Sequence, residues 1–187
     1  CRQAAEWARA CRAAGTTIPT VSVNLSPRQL ADPGLVDAVA EVLAETGIDP
    51  SLMWLVITES ALMMDPAVAV AQIDRLRSMG LRFAMDDFGT GYSSLAYLQR
   101  FPVHALKIDR SFVQGLGRDD EDDTIVTAVV GLAHALGLNT IAEGVETPAQ
   151  LAKLDRLGCD YAQGHLFARP ETASRVGELL GHDRRWQ

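Results

Sequence analysis

Short runs of β-branched and apolar residues alternate along this chain with amphipathic helical stretches, and that alternation leaves few folds open. The runs are Thr20 to Leu25, Leu55 to Thr58, Leu81 to Met85, Ala105 to Asp109, Asn139 to Ala142 and Tyr161 to Gln163, each of strand length and bounded by turn residues. The stretches between them carry helix punctuation. Asp65-Pro66 reads as an N-cap and first helical position, with Gly80 just past that helix's end; Thr147-Pro148 opens another helix and Gly158 closes it. From about Leu35 to Glu45 the apolar residues Leu35, Val39, Val42 and Leu43 recur at helical spacing. Repeated strand-helix units imply parallel strands with right-handed crossovers, hence a doubly wound sheet or a (β/α) barrel. Neither GxGxxG nor GxxxxGK[ST] follows any of the runs, which favours the barrel. An eight-stranded barrel takes about 250 residues, so six units in 187 residues predict an α/β barrel that is incomplete at its N-terminus.

A chain of this length with 48% hydrophobic residues is enough for one core, so a single domain over 1–187 is expected. No apolar run approaches the roughly 20 residues of a membrane span, and no membrane contact by this domain is expected. A net charge of −7 and a pI near 5.0 argue against general affinity for nucleic acid or anionic lipid, which needs clustered Lys and Arg. An anionic ligand would need local cations, and divalent metals held by carboxylates are one source. Cys1, Cys11 and Cys159 have neither CxxC nor Cys/His ligand spacing, which fits a reducing cytoplasm. The N-terminus, Cys1 to Trp7, has no initiator Met and no signal pattern, and reads as an internal cut in a longer protein that could be membrane-anchored through other domains. The run Arg118 to Asp123 is read as a solvated approach to a helix over Thr124 to Leu136, where negative charge suits the helix dipole.

In a barrel of this kind chemistry gathers at the C-terminal ends of the strands. The polar residues there are Asn24, Thr58 and Glu59, Asp86 and Asp87, Lys107 and Asp109, Glu143 and Glu146, and Gln163. Each alone could be a cap or a surface group; together they could line one pocket. Adjacent carboxylates such as Asp86 and Asp87 repel each other and are held ionised most easily by cations, so a bound metal or a simple Asp cap are the two readings. Carboxylates with the amide of Asn24 are a hard-oxygen set suited to Mg²⁺ or Mn²⁺ rather than zinc. His104, His134, His165 and His182 have no mutual ligand spacing and are read as structural or surface groups. Lys107, between Leu106 and Ile108, should point to the opposite face from both. Buried there, it needs a phosphate or a carboxylate partner such as Asp86 or Asp109. No Ser, Cys or His nucleophile stands beside a base, which leaves activation of water by metal.

The series Asn24-Leu25-Ser26, Ile57-Thr58-Glu59-Ser60, Asp86-Asp87-Phe88-Gly89-Thr90-Gly91-Tyr92-Ser93-Ser94-Leu95, Lys107-Ile108-Asp109, Ala142-Glu143-Gly144-Val145-Glu146-Thr147 and Gln163-Gly164 resembles the EAL domain, over essentially the whole chain. The resemblance implies a modified TIM (β/α) barrel that binds cyclic di-GMP and two Mg²⁺ or Mn²⁺ ions, with water attacking one phosphodiester to give linear pGpG. It implies that Asn24, Asp86, Asp87 and Glu143 are metal ligands, Asp86 bridging and Asp87 serving the second ion. Glu143 resembles the family's general base, Lys107 the residue that orients water or phosphate, and Gln163 a residue that holds a water. Asp109 and Glu146 belong at the same mouth. Glu59 would fix the loop after Asp87, which Gly89 and Gly91 let bend over the metals. Partners implied are cyclic di-GMP, a second copy docked near the loop after Asp87, and an upstream sensor or diguanylate cyclase domain.

Two departures qualify the resemblance. The segment bearing the Glu-Ala-Leu signature, with a ligand glutamate, is absent, and Val56 stands where the family has another ligand glutamate. Poor hydrolysis is therefore expected, because Mg²⁺ gives up its waters reluctantly even to good sites. Three readings stay open: a phosphodiesterase, a degenerate domain that binds cyclic di-GMP without cleaving it, and a dimerisation scaffold.

Overall fold

A computed structural model describes residues 1–13, 20–88, 98, 100–118 and 120–180. Its strands are β1 (Val21–Asn24), β2 (Met53–Thr58), β3 (Arg82–Phe88), β4 (Ala105–Ile108), β5 (Asn139–Ala142) and β6 (Tyr161–Ala162). They form one sheet in the order β1-β2-β3-β4-β5-β6. Strand order that follows chain order without reversing is the winding of a (β/α) barrel; a doubly wound sheet reverses direction partway. The pairs β1/β2, β3/β4, β4/β5 and β5/β6 are all parallel.

Two compact units share the chain, Cys1–Phe83 with the segment from Glu171, and Ala84–Pro170. In the first, Met53, Leu55 and Ile57 of β2 are completely buried, as a parallel strand covered on both faces must be. Helices α1 (Arg2–Ala13), α2 (Pro27–Leu30), α3 (Leu35–Thr46), α4 (Glu59–Met64), α5 (Pro66–Ser78) and α9 (Ala173–Leu180) belong to it. The helix α1 was not foreseen; its mean hydropathy is low, and its buried face is a stripe of small residues, Ala5, Ala8 and Cys11. Trp7 Nε1 donates to Ala173 O at 2.9 Å and ties α1 to the start of α9.

The second unit holds β4 to β6 with α6 (Arg110–Gly115), α7 (Asp120–Ala135) and α8 (Pro148–Leu157). Its core includes Leu106, Ile108, Val113, Val126, Ala133 and Leu154. Helix α7 begins at Asp120, so the acidic run supplies its first turn instead of preceding it. The helix starts earlier because four acidic residues suit its positive end, and Asp123 is further held by Lys153, whose Nζ donates at 2.7 Å. Helix α8 has the expected Thr147 cap and left-handed Gly158. The three cysteines are free, and among the described residues no helix is long and apolar enough to cross a membrane. His134 meets Asp160 Oδ2 at 3.0 Å, a structural contact between α7 and the turn before β6; His182 lies outside the described residues.

Candidate functional site

All four residues of β4 are buried. Alternation sends Leu106 and Ile108 to one face and the Lys107 side chain to the other, where its ammonium is taken out of water with only 7% of the residue exposed. A buried ammonium needs anionic partners, and neighbouring strands supply two. Lys107 Nζ donates to Asp86 Oδ2 at 3.0 Å and pairs with Glu143 Oε1. Gln163 Nε2 donates to the same Glu143 oxygen at 2.7 Å. Asp86, Lys107, Glu143 and Gln163 thus come together from the ends of β3, β4, β5 and β6.

Backbone pairing fixes these positions. Glu143 N–H donates to Ile108 O at 3.1 Å and Gln163 N–H to Ala142 O at 2.8 Å, so both side chains leave from a ladder that continues one residue past each strand. Asp86 and Asp87 lie within β3 instead of following it, at an irregularity between Met85 and Phe88 in the register with β4. Asp87 has φ 57°, a left-handed conformation costing roughly 1–2 kcal/mol for a residue with a Cβ. Its N–H donates to Asp86 Oδ1 at 3.1 Å. The bulge separates the two carboxylates: Asp86 turns toward Lys107, and Asp87 is exposed.

Negative charge is in excess here. Burial pushes the Glu143 carboxyl up; Lys107 opposes that without cancelling it, while Asp86 and Asp109 add to the rise. Burial also raises Asp87, with repulsion from Asp86 and Asp109 adding to it against Lys107. Burial works against the Lys107 ammonium, but hydrogen bonds to Glu143 and Asp86 outweigh it and hold the pKa above the usual lysine value. Asp109, considered as a partner for Lys107, caps α6 instead. Its Oδ1 accepts from Ser111 Oγ at 2.5 Å and Ser111 N at 2.9 Å, and these bonds hold its pKa below the usual carboxylate range. The free side of the Lys107 ammonium goes to Glu143.

The other expected residues belong to other elements. Asn24 ends β1, exposed, opposite the buried Val56 of β2 in the ladder, and Glu59 opens α4 behind the Thr58 cap; all belong to the first unit. Glu146 is exposed. The loop that Glu59 was expected to hold, with Gly89 and Gly91, lies outside the described residues. Sequence reading passed over Gln150, which is 7% exposed and accepts from Glu146 N–H and Thr147 N–H at 2.9 Å each. The capping-box spacing Thr147-Pro148-Ala149-Gln150 was the signal that could have found it.

The model of the family described as EAL domain matches residues 1–170. The chain belongs to the EAL domain family. Among its relatives is the Pseudomonas aeruginosa bifunctional diguanylate cyclase/cyclic di-GMP phosphodiesterase MucR, 46% identical over 156 residues that cover 83% of this chain and 23% of the relative. A structure of PaMucR phosphodiesterase in complex with c-di-GMP matches this EAL domain with a TM-score of 0.89 and 43% identity, covering 94% of this chain and 71% of that one. The Klebsiella pneumoniae BlrP1 structure, a manganese/cy-diGMP complex at pH 9.0, matches with a TM-score of 0.81 and 30% identity, covering 90% and 43%. The chain spans between a fifth and a quarter of the length of the first curated relatives it matches.

In kind and charge the cluster suits a divalent cation. Its donors are hard carboxylate oxygens, and Asp86, Asp87 and Glu143 bring three carboxylates to the one ammonium of Lys107. Among the described residues, no three His, Cys, Asp or Glu side chains are grouped to hold a metal by themselves.

Proposed function

We propose that this EAL domain binds cyclic di-GMP at the Asp86, Lys107, Glu143 and Gln163 cluster, with residues arranged for metal-assisted hydrolysis to pGpG, and that Val56 keeps turnover low. The observation that carries the reading is the Lys107 ammonium shared by Asp86 and Glu143. That cation can meet a phosphodiester oxygen, while Glu143, held by Gln163 and pushed up in pKa by burial, is suited to accept a proton from an attacking water. Gln163 fixes which Glu143 oxygen faces Lys107 and leaves the other for that proton. Asp86, Asp87 and Glu143, with Asn24 as the family pattern suggests, would hold Mg²⁺ or Mn²⁺. A divalent ion, when bound, supplies a lowered pKa for water and stabilises charge developing on the phosphate.

Val56 is the observation that favours a second reading, a receptor that binds without cleaving. It is 4% exposed and faces Asn24 in the β1/β2 ladder, and its side chain offers no donor atom. The whole protein is proposed to work in the bacterial cytoplasm, with a sensor or cyclase domain upstream and a second copy docking near the loop after Asp87.

Product chromatography on the wild type and Val56→Glu with Mn²⁺ tests the proposal. The wild type is expected to release pGpG far below about 1 s⁻¹, a rate ordinary for enzymes, and Val56→Glu to raise it by about tenfold or more, the effect of roughly 1.4 kcal/mol in the barrier. An ordinary wild-type rate would remove Val56 as the limiting residue. No gain in the variant would point to another defect.

A further inference from the structure

We infer that Gln150 is a positioning residue, which ties the loop leaving Glu143 to the helix leaving Lys107 and so keeps the two side chains in register; its consequence for ligand binding rests on the function proposed above. The Gln150 side-chain oxygen accepts from Glu146 N–H and Thr147 N–H at 2.9 Å each, and its Nε2 donates to Val113 O on α6 at 3.1 Å. Its main-chain N–H donates to Thr147 Oγ1 at 3.2 Å. One buried amide therefore joins a loop to a helix. The loop follows β5 and begins with Glu143; the helix is α6, which Asp109 caps directly after Lys107 and Ile108.

An ordinary capping box would bond only within its own helix end. Here the amide's second arm leaves α8 for Val113, which is completely buried. The seam it crosses is tight: a Cβ on Gly144, whose φ is 69°, would lie 2.6 Å from Arg110 Cβ. Beyond the backbone pairing of β4 with β5, side chains join these strand ends twice, through the Lys107–Glu143 ion pair and through Gln150. The ion pair must yield when a ligand takes hold of Lys107 or Glu143. The Gln150 contact touches neither side chain, so it can hold their spacing while the ion pair is exchanged.

The chain's two lysines, Lys107 and Lys153, give a direct readout. Acetylation by an N-hydroxysuccinimide ester, followed site by site by mass spectrometry, reports how well Lys107 is held, with Lys153 as the internal reference. Gln150→Met keeps the length and removes the bonds of the side-chain amide; Gln150→Glu keeps an acceptor for Glu146 and Thr147 but not the donor to Val113. In Gln150→Met, Lys107 should label about tenfold faster, as the loss of one to two net hydrogen bonds implies. Lys153 should change by less than about twofold, and Gln150→Glu should fall between wild type and Met. Unchanged Lys107 labelling would overturn the inference, as would equal acceleration of both lysines, the mark of a merely structural loss. Should Gln150→Met fail to fold, wild-type labelling of Lys107 in Gln150→Glu is enough to refute it. Cyclic di-GMP with Mn²⁺ should slow Lys107 labelling in the wild type; absence of that protection would sink the functional reading alone and leave the comparison of variants standing.

Discussion

Lys107 is the cation between carboxylates that would otherwise repel, so its removal should be felt first in stability. Losing one partner of a buried pair costs roughly 3–5 kcal/mol. The side chains of Asp86 and Glu143 keep 17% and 18% of their surface in water, so Lys107→Met should cost less, about 2 kcal/mol at pH 8. The sign of the pH dependence follows from Glu143. Its folded pKa is already raised, so the folded state favours the protonated acid and the penalty of the ionised form is relieved as pH falls. Without the ammonium that pKa rises further, and the deficit of the variant should shrink between pH 8 and pH 5. Urea unfolding at the two pH values measures it; a deficit that grows on acidification would overturn the assignment of the pair. In the wild type the Lys107 contribution is complete below the usual lysine pKa and is lost only as pH rises through its higher folded value. The burial of Lys107 was legible from its apolar neighbours, and Asp86 as a partner could be named. Glu143 could not, because no spacing rule says which distant strand ends in reach of an ammonium, and Ser111 competes for Asp109.

Gly164 sets the pairing at the end of β6. A Cβ there would lie 2.2 Å from Val145 O and 2.3 Å from Val145 N, where Val145 N–H donates to Gln163 O at 3.0 Å. Gly164→Ala should push this backbone off Val145 and lower stability by about 1–3 kcal/mol, the usual cost of overpacking, measured as a fall in Tm; an unchanged Tm would mean the two segments can part freely. Elements with local signals were readable in advance. Asp65-Pro66, Thr147-Pro148 and Gly158 mark helix ends because caps act within a turn, and β5 has the expected bounds, Asn139–Ala142. Misplaced ends depend on tertiary contacts. Strand β3 runs on to Phe88 because β4 pairs with it past the bulge, and β4 stops at Ile108 because Asp109 caps a helix. Helix α1 is low in mean hydropathy, yet Ala5, Ala8 and Cys11 recur on one buried face at helical spacing, a pattern carried by small residues.

For the molecule as a whole, alternating strands and helices narrowed the fold to two windings, and neighbour order in the sheet decides between them. Four consecutive strand ends in one unit supply the cluster, while Asn24, Val56 and Glu59 belong to the other. The chemistry was therefore legible as a set of residue types, but which of them meet in one hydrogen-bonded cluster was not. The same cluster is where an anionic dinucleotide should be held, and Lys107 is the group that should hold it. Isothermal titration of cyclic di-GMP in the presence of Mn²⁺ should give equimolar binding by the wild type and affinity weaker by about tenfold or more in Lys107→Met, as loss of a charge-assisted hydrogen bond implies. A wild type that takes up no ligand, or a Lys107→Met variant that binds equally well, would refute the assignment of this cluster.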